Sequence, residues 1–220
     1  MESLIRLALI LGIFISGGSI EQREYTIIPT PTPFTEEVFT YPYPEYISVR
    51  ITGKKTCEEG MEFTVVEIPF KDYVKGVLAN EWGHDWDEES IKAGAVAVKM
   101  YAWNAVLNGG KWGGYEYGVV YDCDWDMVYN PYITRDSTDK AVDATWDYIL
   151  VEDNTPKKKV HFLAWYGACI NWVGDSGDCI GQWNSKEDAE EGMKFDEILE
   201  KYFYNSKVIN LKQEDSNAGK

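Results

Sequence analysis

IPFKDYVKGVLANEWGHDWDEESIKAGAVAVKMYA, residues 68–102, decides the fold, because it encodes two successive helices and the turn between them. Pro69 closes a preceding strand, Asp72 is placed to cap, and Tyr73 to Trp82 reads as a helix with Val74, Val77 and Leu78 on one face. Glu81 falls on that same apolar face. Gly83 ends the helix, and Asp87 to Ser90 can cap a longer one that runs to the stop at Asn108, Gly109 and Gly110. Its small residues Ala93, Gly94, Ala95 and Ala97 allow neighbours to approach closely, which marks it as the central packing element.

Upstream, ISVRIT (47–52) and FTVVEI (63–68) alternate and read as a strand pair. Downstream, the Gly and Tyr rich stretch GGYEYG leads into VVYDCDWDMVYNP (119–131), a loop or strand edge rich in aromatics. Ser137 or Thr138 then caps a short helix through Trp146, followed by strands YILVED and VHFLAWY around the turn TPKKK. An amphipathic helix near Asp188 to Phe203 precedes the polar end QEDSNAGK. These elements predict an α+β fold: a single compact domain with a central helix pair packed on small antiparallel sheets, preceded by an extended N-terminal segment.

The expected organisation is a signal peptide or short membrane anchor over 1–19, a Pro/Thr-rich spacer over 20–46, the domain over 47–205 and a polar tail over 206–220. Residues 1–19 place Arg6 before the apolar run LALILGIFI and then small residues, the layout of a secretory signal. The run is too short to span a bilayer comfortably. In the spacer, Pro recurs among Thr, Tyr and Glu and favours an extended chain, though its aromatics have the option of packing on the domain as an irregular arm. A secreted or extracytoplasmic protein follows, with anchoring at the outer membrane face as the alternative.

Composition narrows the partners. A formal net charge of -16 over 220 residues repels phosphate backbones, so nucleic acid is excluded as a natural partner. The 15% aromatic content supplies both core and faces on which sugars can stack. Four cysteines, Cys57, Cys123, Cys169 and Cys179, suit an oxidising compartment. Of the three connectivities, Cys169 with Cys179 is the local pair across a Gly-rich stretch, which leaves Cys57 with Cys123; free or metal-binding thiols are the alternative.

Glu81 is the first candidate for chemistry. A carboxyl on the apolar stripe of a helix loses water, which favours its neutral form, and walls such as Trp82 or Trp86 strengthen that effect. A carboxylic acid that keeps its proton near neutral pH is what protonation of a glycosidic oxygen requires. At the helix end the side chain has the alternative of turning outward and pairing on the surface. His84 and His161 are too far apart in sequence to suggest a metal site, and no cofactor is expected.

The quoted stretch resembles the signature of the stage II sporulation protein D family, through Ile68, Pro69, Tyr73, Val74, Gly76, Val77, Ala79 and Glu81, then Ala93, Ala95, Val96, Ala97, Tyr101 and Ala102. Val128 and Tyr129, AVDAT at 141–145, and Ile149 and Leu150 continue the order, so the resemblance covers most of residues 65–170. It implies a peptidoglycan lytic transglycosylase with Glu81 as acid and base, which needs no second carboxylate because the attacking hydroxyl belongs to the sugar itself. Lys99 stands where the family usually has arginine, a candidate for stabilising developing charge, with the loss of a planar donor fork as the departure. Tyr166 and Cys169 keep part of a later motif, whose glycine pair is replaced by Ile170 and Asn171. The zinc constellation of some members lacks its histidine here.

The expected substrate is a polysaccharide, the peptidoglycan glycan strand or a related glycan, held by Tyr101, Trp125, Tyr129, Tyr166 and Trp82. Trp112, Tyr115 and Tyr117 are further candidates for the groove. The alternative function is a catalytically inactive wall-binding module or an enhancer of another wall hydrolase.

Overall fold

The structure, a computed structural model, describes residues 43–110, 118–152, 159–160, 165–167, 179–203 and 205–212, all within the unit Pro31–Lys220. The signal segment, most of the spacer, Trp112, Tyr115, Tyr117, Cys169 and the extreme C-terminal tail lie outside the described residues.

Strand β1 (Tyr46–Ile51) buries Ile47 and Val49 and pairs antiparallel with β2 (Thr64–Pro69), Tyr46 opposite Pro69 and Ile51 opposite Thr64. The strand pair is as expected. β2 runs without a loop into α1 (Phe70–Glu81): Pro69 is both the last strand residue and the helix cap, and Asp72 sits inside the first turn. There its charge complements the helix dipole. Phe70, Tyr73, Val74, Val77 and Leu78 point into the core.

Helix α2 (Glu88–Asn108) begins at Asp87, whose carboxylate accepts from Glu89 N–H, and ends at Gly109 in the left-handed conformation, φ 67°. It is buried on nearly every side between Ser90 and Ala105. Five neighbours surround it: α1, α3 (Asp136–Ala144), β4 (Tyr148–Glu152), α4 (Gln182–Glu190) and α5 (Phe195–Tyr202), with β1 also in reach. Gly94 is required for this packing, since a Cβ there would collide with the Trp82 ring. Such a collision in a dense core is destabilising by about 1–3 kcal/mol.

Three small sheets flank the helices. β3 (Val120–Tyr121) adds to β1 in parallel, completing the order β2-β1-β3. β4 lies between β5 (Lys159–Val160) and β8 (Ser206–Asn210), antiparallel to both. β6 (Trp165–Gly167) and β7 (Cys179–Gly181) pair in parallel. The fold is therefore the α+β arrangement expected, with parallel pairing where β1 meets β3 and where β6 meets β7.

Some boundaries differ from the pattern. The helix expected near 188–203 is two helices, α4 and α5, because Gly192 turns the chain at φ 95° and its N–H bonds back to Ala189. α3 starts at Asp136 without a side-chain cap, and Thr138 Oγ1 donates to the Arg135 carbonyl instead. Residues 206–210, at the start of the expected tail, pair with β4 as β8. Tyr43, from the end of the expected spacer, packs among Phe70, Trp103 and Trp146 and donates to the Trp146 carbonyl. No described helix is long and apolar enough to cross a membrane.

Candidate active site at the end of helix α1

Glu81 is the last residue of α1, and its half-buried carboxyl meets two donors. The backbone N–H of Val128 donates to Oε1 at 2.7 Å, and Gln182 Nε2 donates to Oε2 at 3.1 Å. Gln182 Nε2 also donates to the Glu81 carbonyl at 2.8 Å. That second bond fixes the amide with its nitrogen toward Glu81, since an amide oxygen there would face another oxygen.

Two opposing influences act on the proton. Burial raises the Glu81 pKa, the charge of Asp124 raises it too, and the Val128 and Gln182 hydrogen bonds lower it; burial prevails and the carboxyl is held above its ordinary range. Neither hydrogen-bond partner can accept the proton, because a backbone N–H and an anchored amide N–H only donate. The acid proton is therefore left for a third group.

The loop carrying Val128 is built firmly. Cys57 and Cys123 form a disulfide with Cα atoms 5.7 Å apart, tying the β1–β2 connection to residues 121–129. Cys179 is disulfide-bonded as well. The three aspartates of DCDWD serve this loop: Asp122 accepts from Thr52 N–H, Thr52 Oγ1 and Gly53 N–H, and Asp124 accepts from Cys57 N–H. Asp126 accepts from Tyr101 Oη at 3.0 Å and from Tyr121 N–H at 2.8 Å. Among the described residues no cluster of three or more His, Cys, Asp or Glu is arranged to hold a metal.

Beneath the carboxyl lies an aromatic floor. Tyr73 stacks on Tyr129 with ring centroids 5.1 Å apart, and Tyr129 lies so close over Gly76 that a Cβ there would clash. The Tyr73 hydroxyl is buried without a hydrogen-bond partner, and burial, then the charge of Asp126, pushes its pKa well above the usual tyrosine range. It stays a neutral phenol.

The other expected site residues divide by exposure. Trp82 is buried over Gly94, Tyr101 is buried with its hydroxyl on Asp126, and Tyr129 is buried on Tyr73. Trp125 is 42% exposed, edge-on to Tyr121, whose ring in turn carries the Arg50 guanidinium and faces Phe63. The Tyr166 side chain lies outside the described residues.

Lys99 sits elsewhere. It is 1% exposed, and its ammonium donates to the carbonyls of Thr145, Trp146 and Tyr148 at 2.9, 2.7 and 2.6 Å, in the turn joining α3 to β4. Three acceptors occupy all three of its hydrogens. The rings of Tyr43 and Trp146 lie 5.1 and 5.4 Å from its nitrogen.

Gln182 and Asp126 were not among the residues expected at the site. Gln182 opens α4 directly after β7 and lies 101 residues from Glu81 in sequence, so nothing local links them. Asp126 carried a signal only in its repeated DxDxD context, which by itself suggested acidity and not support for a loop.

The residues that build this site lie largely in one recognisable stretch. The family model of the stage II sporulation protein matches residues 58–151. This stretch, less than half of the chain, is similar to a stage II sporulation protein domain. A curated relative, an uncharacterized protein of Brachyspira hyodysenteriae, is 37% identical over 117 residues, which is 53% of this chain and 30% of the relative. The chain thus aligns with less than a third of that relative's length. Within the stage II sporulation protein match lie Glu81, Lys99, Tyr101, Asp126 and Val128, whereas Gln182 and α4 lie beyond it.

Proposed function

We propose that this protein acts on cell-wall glycan outside the cytoplasm as a lytic transglycosylase, with Glu81 as both acid and base. The observation that carries the reading is a single carboxyl, held above its ordinary pKa, whose two hydrogen-bond partners are donors only. The stage II sporulation protein match and the disulfide chemistry agree with an extracytoplasmic wall role.

In this reaction Glu81 gives its proton to the glycosidic oxygen as the bond to the anomeric carbon breaks. The resulting carboxylate then removes the proton from the 6-hydroxyl of the same sugar, whose oxygen closes on the anomeric carbon. No water is consumed, and Glu81 ends protonated as it began. The intramolecular attack replaces the second carboxylate that a hydrolytic glycosidase uses to activate water. Trp125 is the exposed aromatic on which a sugar face stacks, while Tyr101, Tyr129 and Trp82 act behind it, keeping α1, α2 and the 121–129 loop in register. Lys99 is a positioning residue that holds the turn after α3.

The test is incubation of the full chain with purified glycan strands, with and without stem peptides, followed by mass analysis. Fragments ending in anhydro sugars, lighter by one water than hydrolysis products, are expected, and E81Q should yield none. Water-added ends would replace the intramolecular step by hydrolysis. Binding without fragments would make the protein a wall-binding module.

A further inference from the structure

We propose that Trp183, backed by Trp86, forms a stacking platform for a pyranose ring of the glycan on the α4 side of Glu81. The inference rests on the glycan-cleaving reading above and adds a second arm to its binding site.

Trp183 is 61% exposed, more than Trp125, and these are the most exposed tryptophans among the described residues. Each is close in sequence to one of the two donors on the Glu81 carboxyl. Trp125 precedes Val128, which donates to Oε1, by three residues; Trp183 directly follows Gln182, which donates to Oε2. The carboxyl thus lies between the loop that carries Trp125 and the first turn of α4 that carries Trp183.

The Trp183 indole is not a loose surface side chain. Its ring centroid is 4.9 Å from that of Trp86, the planes tilted by 51°. Trp86 in turn covers Gly83, where a Cβ would collide with the indole, and Gly83 is two residues past Glu81. The backbone beneath Trp183 is pinned as well. Ser185 Oγ lies 2.9 Å from Ser90 Oγ of α2 and donates to the Gln182 carbonyl at 2.7 Å. A Cβ at Gly181 would collide with Asn184, so the entry to α4 is tight.

A large apolar ring held outward on a fixed backbone forgoes the burial that stabilises most tryptophans, and a ligand face that covers it recovers that contribution. The chemistry of the occupant follows from the surroundings. The chain carries a net charge of -16, which disfavours a polymer with a phosphate on every unit. A pyranose presents apolar C–H groups on one face and hydroxyls at its rim, matching an indole face beside amide and carboxyl groups. An N-acetylhexosamine ring is therefore the expected occupant.

The experiment uses the full chain carrying E81Q, titrated with chitohexaose and with peptide-free glycan strands while tryptophan fluorescence is followed. Adding W183A should weaken binding on the order of tenfold, and W183Y should restore most of it. With Glu81 intact, W183A should raise KM by a similar factor and leave kcat within about threefold, the signature of lost ground-state binding. Unchanged affinity in W183A, with strands still cleaved in a Glu81-dependent way, overturns the platform and spares the reading of Glu81. The platform falls equally if W183A retains glycan binding and instead abolishes self-association in sedimentation. Failure of the wild-type chain to bind or cleave any glycan overturns both.

Discussion

At the end of α1 the Glu81 carboxyl is half-buried against two N–H donors, whereas at the end of α3 the Lys99 ammonium is sealed among three carbonyls and two aromatic rings. Both groups have been drawn out of water, and burial pushes each toward its neutral form, Glu81 upward and Lys99 well downward. The difference lies in what remains unsatisfied. Every hydrogen of Lys99 has an acceptor, so its charge is spent on closing a turn. The proton of Glu81 has no acceptor among its hydrogen-bond partners, and an exposed tryptophan lies close in sequence to each of its two donors. Burial alone thus does not mark a reactive group; burial with one valence left pointing at a ligand does.

The contrast predicts opposite consequences for the two neutralising substitutions. E81Q should reduce cleavage by about a thousandfold or more, roughly 4 kcal/mol of transition-state stabilisation, while its circular dichroism and thermal melt remain those of a folded protein. K99M should do the reverse. Removing the ammonium takes a donor from three carbonyls, of which those of Thr145 and Trp146 keep Tyr148 N–H and Tyr43 Oη, and a stability loss of about 1–3 kcal/mol is expected in urea titration, with kcat per folded molecule within about threefold of the parent. A K99M variant that melts normally yet fails to cleave would return Lys99 to the reaction.

Much of this arrangement was legible because it is local. The face shared by Val74, Val77, Leu78 and Glu81 follows from helical spacing, and the caps at Asp87 and Gly109 from side-chain chemistry at helix ends. The Cys57–Cys123 bond followed from assigning the other two cysteines as a local pair. What escaped the sequence is long-range. A lysine in a helix interior has the same pattern whether it faces solvent or the end of another helix, and only packing of α2 against α3 and β4 decides. Gln182 is one polar residue at a strand-to-helix junction, and its value depends on β7 delivering it to Glu81. The break at Gly192 was missed because the positive φ that turns the chain between α4 and α5 is a property of one residue and leaves no mark on the surrounding pattern.

Gln182 is the next smaller test, because it is the donor that most resembles what Lys99 does for its carbonyls. Q182A should lower kcat on the order of tenfold by freeing the carboxyl to rotate. It should also move the alkaline limb of the pH profile upward, since a donor that favours the carboxylate has been removed. A purely structural residue would change the amount of folded enzyme and leave that limb in place.

The smallest expected effect is thermodynamic and needs no substrate. A carboxyl whose folded pKa lies above its unfolded value of about 4.3 binds more protons in the native state between those two values. Its favourable contribution is complete below the unfolded value and declines as pH rises through the window to the folded one. The stability of the wild-type chain relative to E81Q should therefore fall as pH rises above the unfolded value of about 4.3, with a slope that cannot exceed about 1.4 kcal/mol per pH unit. Taking the difference between the two chains cancels every other titrating group that the substitution leaves alone. A relative stability that rises with pH would mean that the two N–H donors outweigh burial, leaving Glu81 an ordinary carboxylate at neutral pH and removing the physical basis for its role as an acid.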